Sequence, residues 1–150
     1  LSGNIYTYEQ FLKVISVYTK EQYNLYIGTD SKIVKNKVVT VSALCFHKPG
    51  STGRVFSIRK RFSKDKYGNL RSRMFLEAYL SLELAMELES VVPTKIEIHL
   101  DVGSTIKSKT SLYEKELQAL VLGQGYDCKV KPDNWCASAA AHKVVNNQNY

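Results

Sequence analysis

Apolar residues change their spacing along the chain, and each change predicts an element. Thr7-Tyr8-Glu9-Gln10 has the spacing of a capping box, and Phe11, Leu12, Ile15 and Tyr18 then recur at helical intervals, predicting an amphipathic helix that ends near Thr19. From Asn24 to Asp30 the run Leu25-Tyr26-Ile27 predicts a strand, in which Gly28 permits close approach of backbone or ligand. After a turn at Lys35-Asn36-Lys37, the β-branched stretch from Val38 to Phe46 predicts a second strand. Lys48-Pro49-Gly50-Ser51-Thr52-Gly53 is punctuated like a loop, and Arg54 to Phe62 alternates apolar with polar, a third strand with one wet face. Short connections make these three strands an antiparallel meander.

The period then lengthens. Met74, Phe75, Leu76, Ala78, Leu80, Leu82, Leu84, Ala85, Met86 and Leu88 predict a helix from about Arg71 to Ser90, ahead of Pro93. A strand follows from Lys95 to Asp101, then a helix from about Ser111 to Leu122 that Gly123 and Gly125 close. Tyr126 to Val130 is a short strand, and beyond Pro132 a final helix, capped by Asp133 or Asn134, runs to about Val145. This order is α/β: three antiparallel strands, then two parallel strands reached by right-handed crossovers, with flanking helices and an extra helix at the start. At 150 residues the chain fits a single domain, 1–150, with its core between about 24 and 145.

Charge adds a partner class. The formal net charge is +7, and it is local: Arg54, Arg59, Lys60, Arg61, Lys64, Lys66, Arg71 and Arg73 are opposed only by Asp65. With Tyr67 among them, such a segment suits phosphate contact and base stacking, or, more plainly, a solvated hairpin and helix entry. Cys45, Cys128 and Cys136 are widely spaced and odd in number, which fits buried reduced thiols better than a disulfide framework or a zinc site. With neither an apolar run of membrane length nor a signal-like amino terminus, the expected compartment is the cytoplasm.

Two of the predicted strands end in a carboxylate, Asp30 and Asp101. If those strands are parallel neighbours, both acids leave the sheet at the carboxyl edge, where open α/β sheets bind ligands. The intervening helix would carry Glu77 over that edge, and the last helix would carry His142. Carboxylates crowded into one site raise one another's pKa, so a hard divalent cation, Mg²⁺ or Mn²⁺, is the natural compensation. Each residue has a plainer role: Asp30 as a cap, Glu77 as a helix partner of Arg73, His142 as a helix-end residue, Asp133 as an N-cap and Lys143 as a complement to the helix dipole. His99 reads as a satisfied histidine rather than a ligand.

Tyr26-Ile27-Gly28-Thr29-Asp30-Ser31, Glu77, Glu97-Ile98-His99-Leu100-Asp101 and Lys131-Pro132-Asp133-Asn134-Trp135-Cys136-Ala137-Ser138 together resemble the YkuK-type family of ribonuclease H-like nucleases, over about 24–145. The resemblance implies a ribonuclease H-like fold and a metal-dependent nuclease of the retroviral-integrase superfamily, with Asp30, Glu77 and Asp101 at its first three acidic positions. At the fourth, the family carries an Ala-Asp-Lys-like triplet where this chain has Ala141-His142-Lys143. Argonaute-type slicers and some junction resolvases use His there, and imidazole ligates Mn²⁺ and, less readily, Mg²⁺. The expected activity is hydrolysis of phosphodiester bonds in RNA, RNA/DNA hybrid or structured DNA. Asp30, Glu77, Asp101 and His142 would act as ligands and catalytic groups, and Lys32, Arg59, Arg61, Arg71, Arg73, Lys107, Lys109 and Lys143 would grip the backbone. The alternatives are a nucleic-acid-binding module of the same fold without catalysis, and a structural or protein-interaction domain.

Overall fold

The computed structural model describes residues 4–51, 53–102 and 111–146, with 111 and 141–146 described in backbone only. Helix α1 (Tyr8–Lys20) is closed at its start by the expected capping box, in which the Thr7 hydroxyl accepts from the Gln10 amide and the Gln10 side chain accepts from the Thr7 amide. Three strands follow, β1 (Asn24–Val34), β2 (Lys37–His47) and β3 (Arg54–Ser63), then a single turn of helix, α2 (Lys64–Tyr67). Helix α3 (Leu70–Leu88), β4 (Ile96–His99), α4 (Ser111–Gly123), β5 (Asp127–Lys129) and α5 (Trp135–Asn146) complete the chain. The strands lie in one sheet, ordered β3-β2-β1-β4-β5, with β1–β2 and β2–β3 antiparallel and β1–β4 and β4–β5 parallel. The mixed sheet expected from the pattern is therefore the one observed.

Alternation along β1 assigns the two faces. Leu25 and Ile27 point with Leu44, Phe46, Ile98 and Phe56 into the main core, closed by Ile15 of α1, Met74, Ala78 and Leu82 of α3, and Leu117 and Val121 of α4. The other face belongs to α5, where Ala43, Cys45, Cys136 and Ala140 form a core of small side chains. Smallness is required there. A Cβ built on Gly28 would stand 2.4 Å from the Ala137 nitrogen and 2.6 Å from its Cα, so the helix backbone lies directly on the strand backbone. Cys136 and Ala137 of the helix bear that close approach.

Three boundaries differ from the sequence expectation. β1 does not stop at Asp30 but pairs with β2 through Val34↔Lys37, because the hairpin supplies partners to both strands up to a turn in which Lys35 has φ 56°. β4 is shorter than expected, so Asp101 lies two residues beyond it. α2 was not expected; Ser63 caps it by accepting from the Asp65 amide. Among the described residues, no helix is long and apolar enough to cross a membrane.

Gly28→Ala forces Cβ into the α5 backbone, which has no rotamer to yield. It is expected to lower stability by about 1–3 kcal/mol, seen in thermal unfolding as a fall of about 2–4 °C per kcal/mol. A melting temperature equal to wild type would contradict this packing.

Candidate metal centre

β1 and β4 pair in parallel only as far as Gly28↔His99. Two residues further on, Asp30 and Asp101 are therefore level with each other at the point where β4 no longer covers β1. Glu77 arrives from the other layer. Ser81 and Glu77 are one turn apart on α3, and their partners Thr29 and Ser31 are two residues apart on β1. A helical turn of four residues rises about 6 Å and two strand residues span about 6.7 Å, so the helix keeps step with the strand it crosses. Thr29 Oγ1 lies 2.8 Å from both Ser42 Oγ and Ser81 Oγ, a buried hydroxyl chain pinning α3 to the hairpin. The Ser31 hydroxyl donates to Glu77 Oε2. As a result, one carboxylate oxygen from each of Asp30, Glu77 and Asp101 lies within 4.8 Å of the others.

This arrangement is electrostatically unfavourable as it stands. Burial, then the charge of Asp101, raises the Asp30 pKa from 3.8 to about 7, while Arg73 and the Ser31 backbone amide oppose the shift. Glu77 is only 7% exposed, and burial followed by the charge of Asp30 pushes it well above the usual carboxylate range, with Ser31 and Arg73 pulling the other way. Arg73 sits one turn before Glu77, as the sequence suggested, and its Nε is buried without a hydrogen bond. Lys131 Nζ stands 3.2 Å from Asp101 Oδ1. Three converging hard oxygen donors, two of them with pKa values that burial and neighbouring charge raise and a cation would lower, form a donor set suited to Mg²⁺ or Mn²⁺.

The remaining predicted residues separate into groups. In the antiparallel ladders, Asp30 pairs with Val41 and Val41 with Arg59, while Lys32 pairs with Val39 and Val39 with Arg61. Arg59 and Arg61 thus lie two strands away from Asp30 and Lys32, about 10 Å across the α5 face. Arg71 turns toward α4, 3.6 Å from Glu116 Oε2 and 4.5 Å above the Phe75 ring. Tyr67 packs edge-on against Phe62 in a small core cluster, so its ring is already committed to packing. His142 and Lys143 belong to α5, which crosses β1 at Gly28, but their side chains lie outside the described residues, as do Lys107 and Lys109 altogether.

Sequence reasoning missed Ser31, Lys131 and the part played by His99. Ser31 was legible as a hydroxyl beside the acid, on the face opposite to it. His99 is buried; its Nδ1 accepts from the Cys136 amide at 3.0 Å, and its Nε2 faces Glu97 Oε2 at 3.3 Å. An imidazole, not Asp133, thus satisfies an early amide of α5, and Asn134 uses its side chain on the Leu100 carbonyl at 2.9 Å. Burial lowers the His99 pKa, against the pull of Glu97; with Nδ1 accepting from the Cys136 amide, the ring's proton belongs on Nε2, toward the carboxylate.

The sequence matches the Ribonuclease H-like family model over residues 7–146. No curated protein matches it. Among solved structures, it is similar to the N-terminal RNase H domain of Rv2228c from Mycobacterium tuberculosis, studied as a fusion with maltose-binding protein. That match has 14% identity over 81% of this chain and 99% of that chain, with a TM-score of 0.35.

Folding raises the Asp30 pKa, so between the unfolded value of 3.8 and about 7 the folded protein holds a proton that the unfolded chain has released. Stability is fully present below that window and falls as pH rises through it. Metal-free protein is therefore expected to melt at a lower temperature at about pH 8 than at about pH 5.5, and Asp30→Asn to flatten that slope and raise the melting temperature at the higher pH. Parallel profiles for the two proteins would contradict the assignment.

Proposed function

The chain belongs to the ribonuclease H-like family, and from that premise we propose that it is a divalent-metal-dependent nuclease acting on RNA, RNA/DNA hybrid or structured DNA. The observation that carries the reading is the convergence of Asp30, Glu77 and Asp101, separated by up to 71 positions in sequence, within 4.8 Å. Elsewhere among the described residues the buried polar side chains of the sheet are hydroxyls and the His99 imidazole, so three acids converging where β1 runs beyond β4 are an expensive arrangement without a cation. Mg²⁺ or Mn²⁺ held there supplies positive charge that lowers the pKa of water and stabilises charge on a phosphoryl group in flight.

The chain's own residues supply the rest. Asp30 and Asp101, both part-exposed, are the ligands open to solvent and substrate; Glu77, buried and oriented by Ser31, closes the site from beneath. His142 on α5 is assigned as the fourth ligand, replacing the family's acid. Arg73 stands one helical turn before Glu77, where its guanidinium would meet a phosphate entering the cluster. Lys32, Arg59 and Arg61, together with Lys107, Lys109 and Lys143, are assigned to the substrate's backbone, and Arg71 to the edge of that surface.

Wild-type protein is expected to gain thermal stability with Mn²⁺, by about 2.7 kcal/mol at a concentration 100 times the dissociation constant, and to cleave at least one of an RNA, a hybrid and a branched DNA. Asp30→Asn and Asp101→Asn should each lose both the metal-induced shift and the cleavage while still binding nucleic acid with strong salt dependence. Cleavage that survives either substitution would sink the assignment. Salt-sensitive binding with no turnover by wild type in Mg²⁺ or Mn²⁺ would identify a binding module instead.

A further inference from the structure

The segment after β5 is fastened along the end of β4. The Leu100 amide donates to the Lys129 carbonyl at 2.9 Å, the Lys131 amide to the Val102 carbonyl at 3.1 Å, and the Asn134 side chain to the Leu100 carbonyl at 2.9 Å. These bonds carry the parallel ladder past the last regular strand residue on either side of Asp101. Lys131 is thereby held by its backbone beside the acid, while its side chain remains 50% exposed. Its ammonium lies 3.2 Å from Asp101 Oδ1, an oxygen of the very carboxylate that joins Asp30 and Glu77. Among the described residues, the other lysine–carboxylate pair, Lys95 with Asp127, lies on the surface at the opposite end of β4.

A lysine fixed at this position does two things that a distant basic residue does not. It offsets part of the repulsion among three carboxylates before any cation arrives. It also opposes that arrival, since a dication bound to Asp101 would stand next to an ammonium. Lysine is suited to both, because its charge rides on a flexible four-carbon stem and can leave one anion for another. We propose that Lys131 is the resident cation of the acidic cluster: it competes with a divalent ion for Asp101 and, once displaced, contacts a phosphate of the nucleic acid bound there. This rests on the metal-dependent nuclease reading above.

The test compares wild type with Lys131→Met and Lys131→Arg, using Mn²⁺ alone in isothermal calorimetry and thermal-shift titration, then steady-state cleavage. Lys131→Met should bind Mn²⁺ more tightly, on the order of 10-fold, and raise KM for the nucleic acid by a similar factor with kcat little changed. Lys131→Arg, which keeps the charge but grips a carboxylate through a planar fork, should bind Mn²⁺ no more tightly than wild type and keep KM closer to wild type than Lys131→Met does. Because the side chain is half exposed, both variants should fold, and their metal-free melting curves check this. If wild type binds Mn²⁺ and Lys131→Met binds it equally or more weakly, or if KM does not move, Lys131 has no such role and the metal site stands without it. If no protein in the series binds Mn²⁺, this inference and the nuclease reading fail together.

Discussion

The architecture depends on one approach of backbone to backbone, α5 on β1 at Gly28. Because no Cβ separates them, the helix sits low enough for Cys136 and Ala140 to meet Ala43 and Cys45 of the neighbouring strand. It is also low enough for its early amide to reach the His99 ring. The loop leading into the helix is drawn in by the same contact and lies along Leu100–Val102, next to Asp101. A residue without a side chain, two positions before Asp30, thus governs how α5 and the segment leading into it meet the acidic cluster.

Around that cluster, stability and chemistry pull in opposite directions. The hydroxyl chain Thr29–Ser42–Ser81 and the Ser31–Glu77 bond hold α3 in register, so Glu77 cannot withdraw from Asp30 and Asp101 by a small shift. Rigid positioning of like charges is unfavourable to folding and favourable to binding a cation, because the ligands need not be gathered when it arrives. Departures from local consistency of this kind are expected where a protein does its work.

Periodicity exposed most of the fold, since each strand and long helix has a clear apolar rhythm and turn residues between. Asp30 and Asp101 could be paired because both follow apolar runs that read as parallel neighbours. The reading failed where the deciding partner was remote. A charge at position 30 looked like the end of a strand, yet β2 supplies hydrogen bonds to four residues more. The last helix was expected to be capped by the side chain of Asp133 or Asn134, but the Asn134 amide group goes to the Leu100 carbonyl and the Cys136 amide is taken by an imidazole 37 positions before it. The basic segment looked uniform, while Arg71 and Tyr67 are held by Glu116, Phe75 and Phe62, contacts that no local pattern reveals. Lys131 escaped notice because its meaning lies entirely in what it faces.

The sheet's two margins are protected in different ways. β5 contributes three residues, too few to template another chain. β3 contributes ten and, among the described residues, has no strand on its outer side, a margin that would ordinarily invite strands from other molecules. Its sequence, Arg54-Val55-Phe56-Ser57-Ile58-Arg59-Lys60-Arg61-Phe62-Ser63, carries four positive charges on that one strand. A second copy brought edge to edge would meet the same charges, so like-charge repulsion opposes strand pairing at this margin.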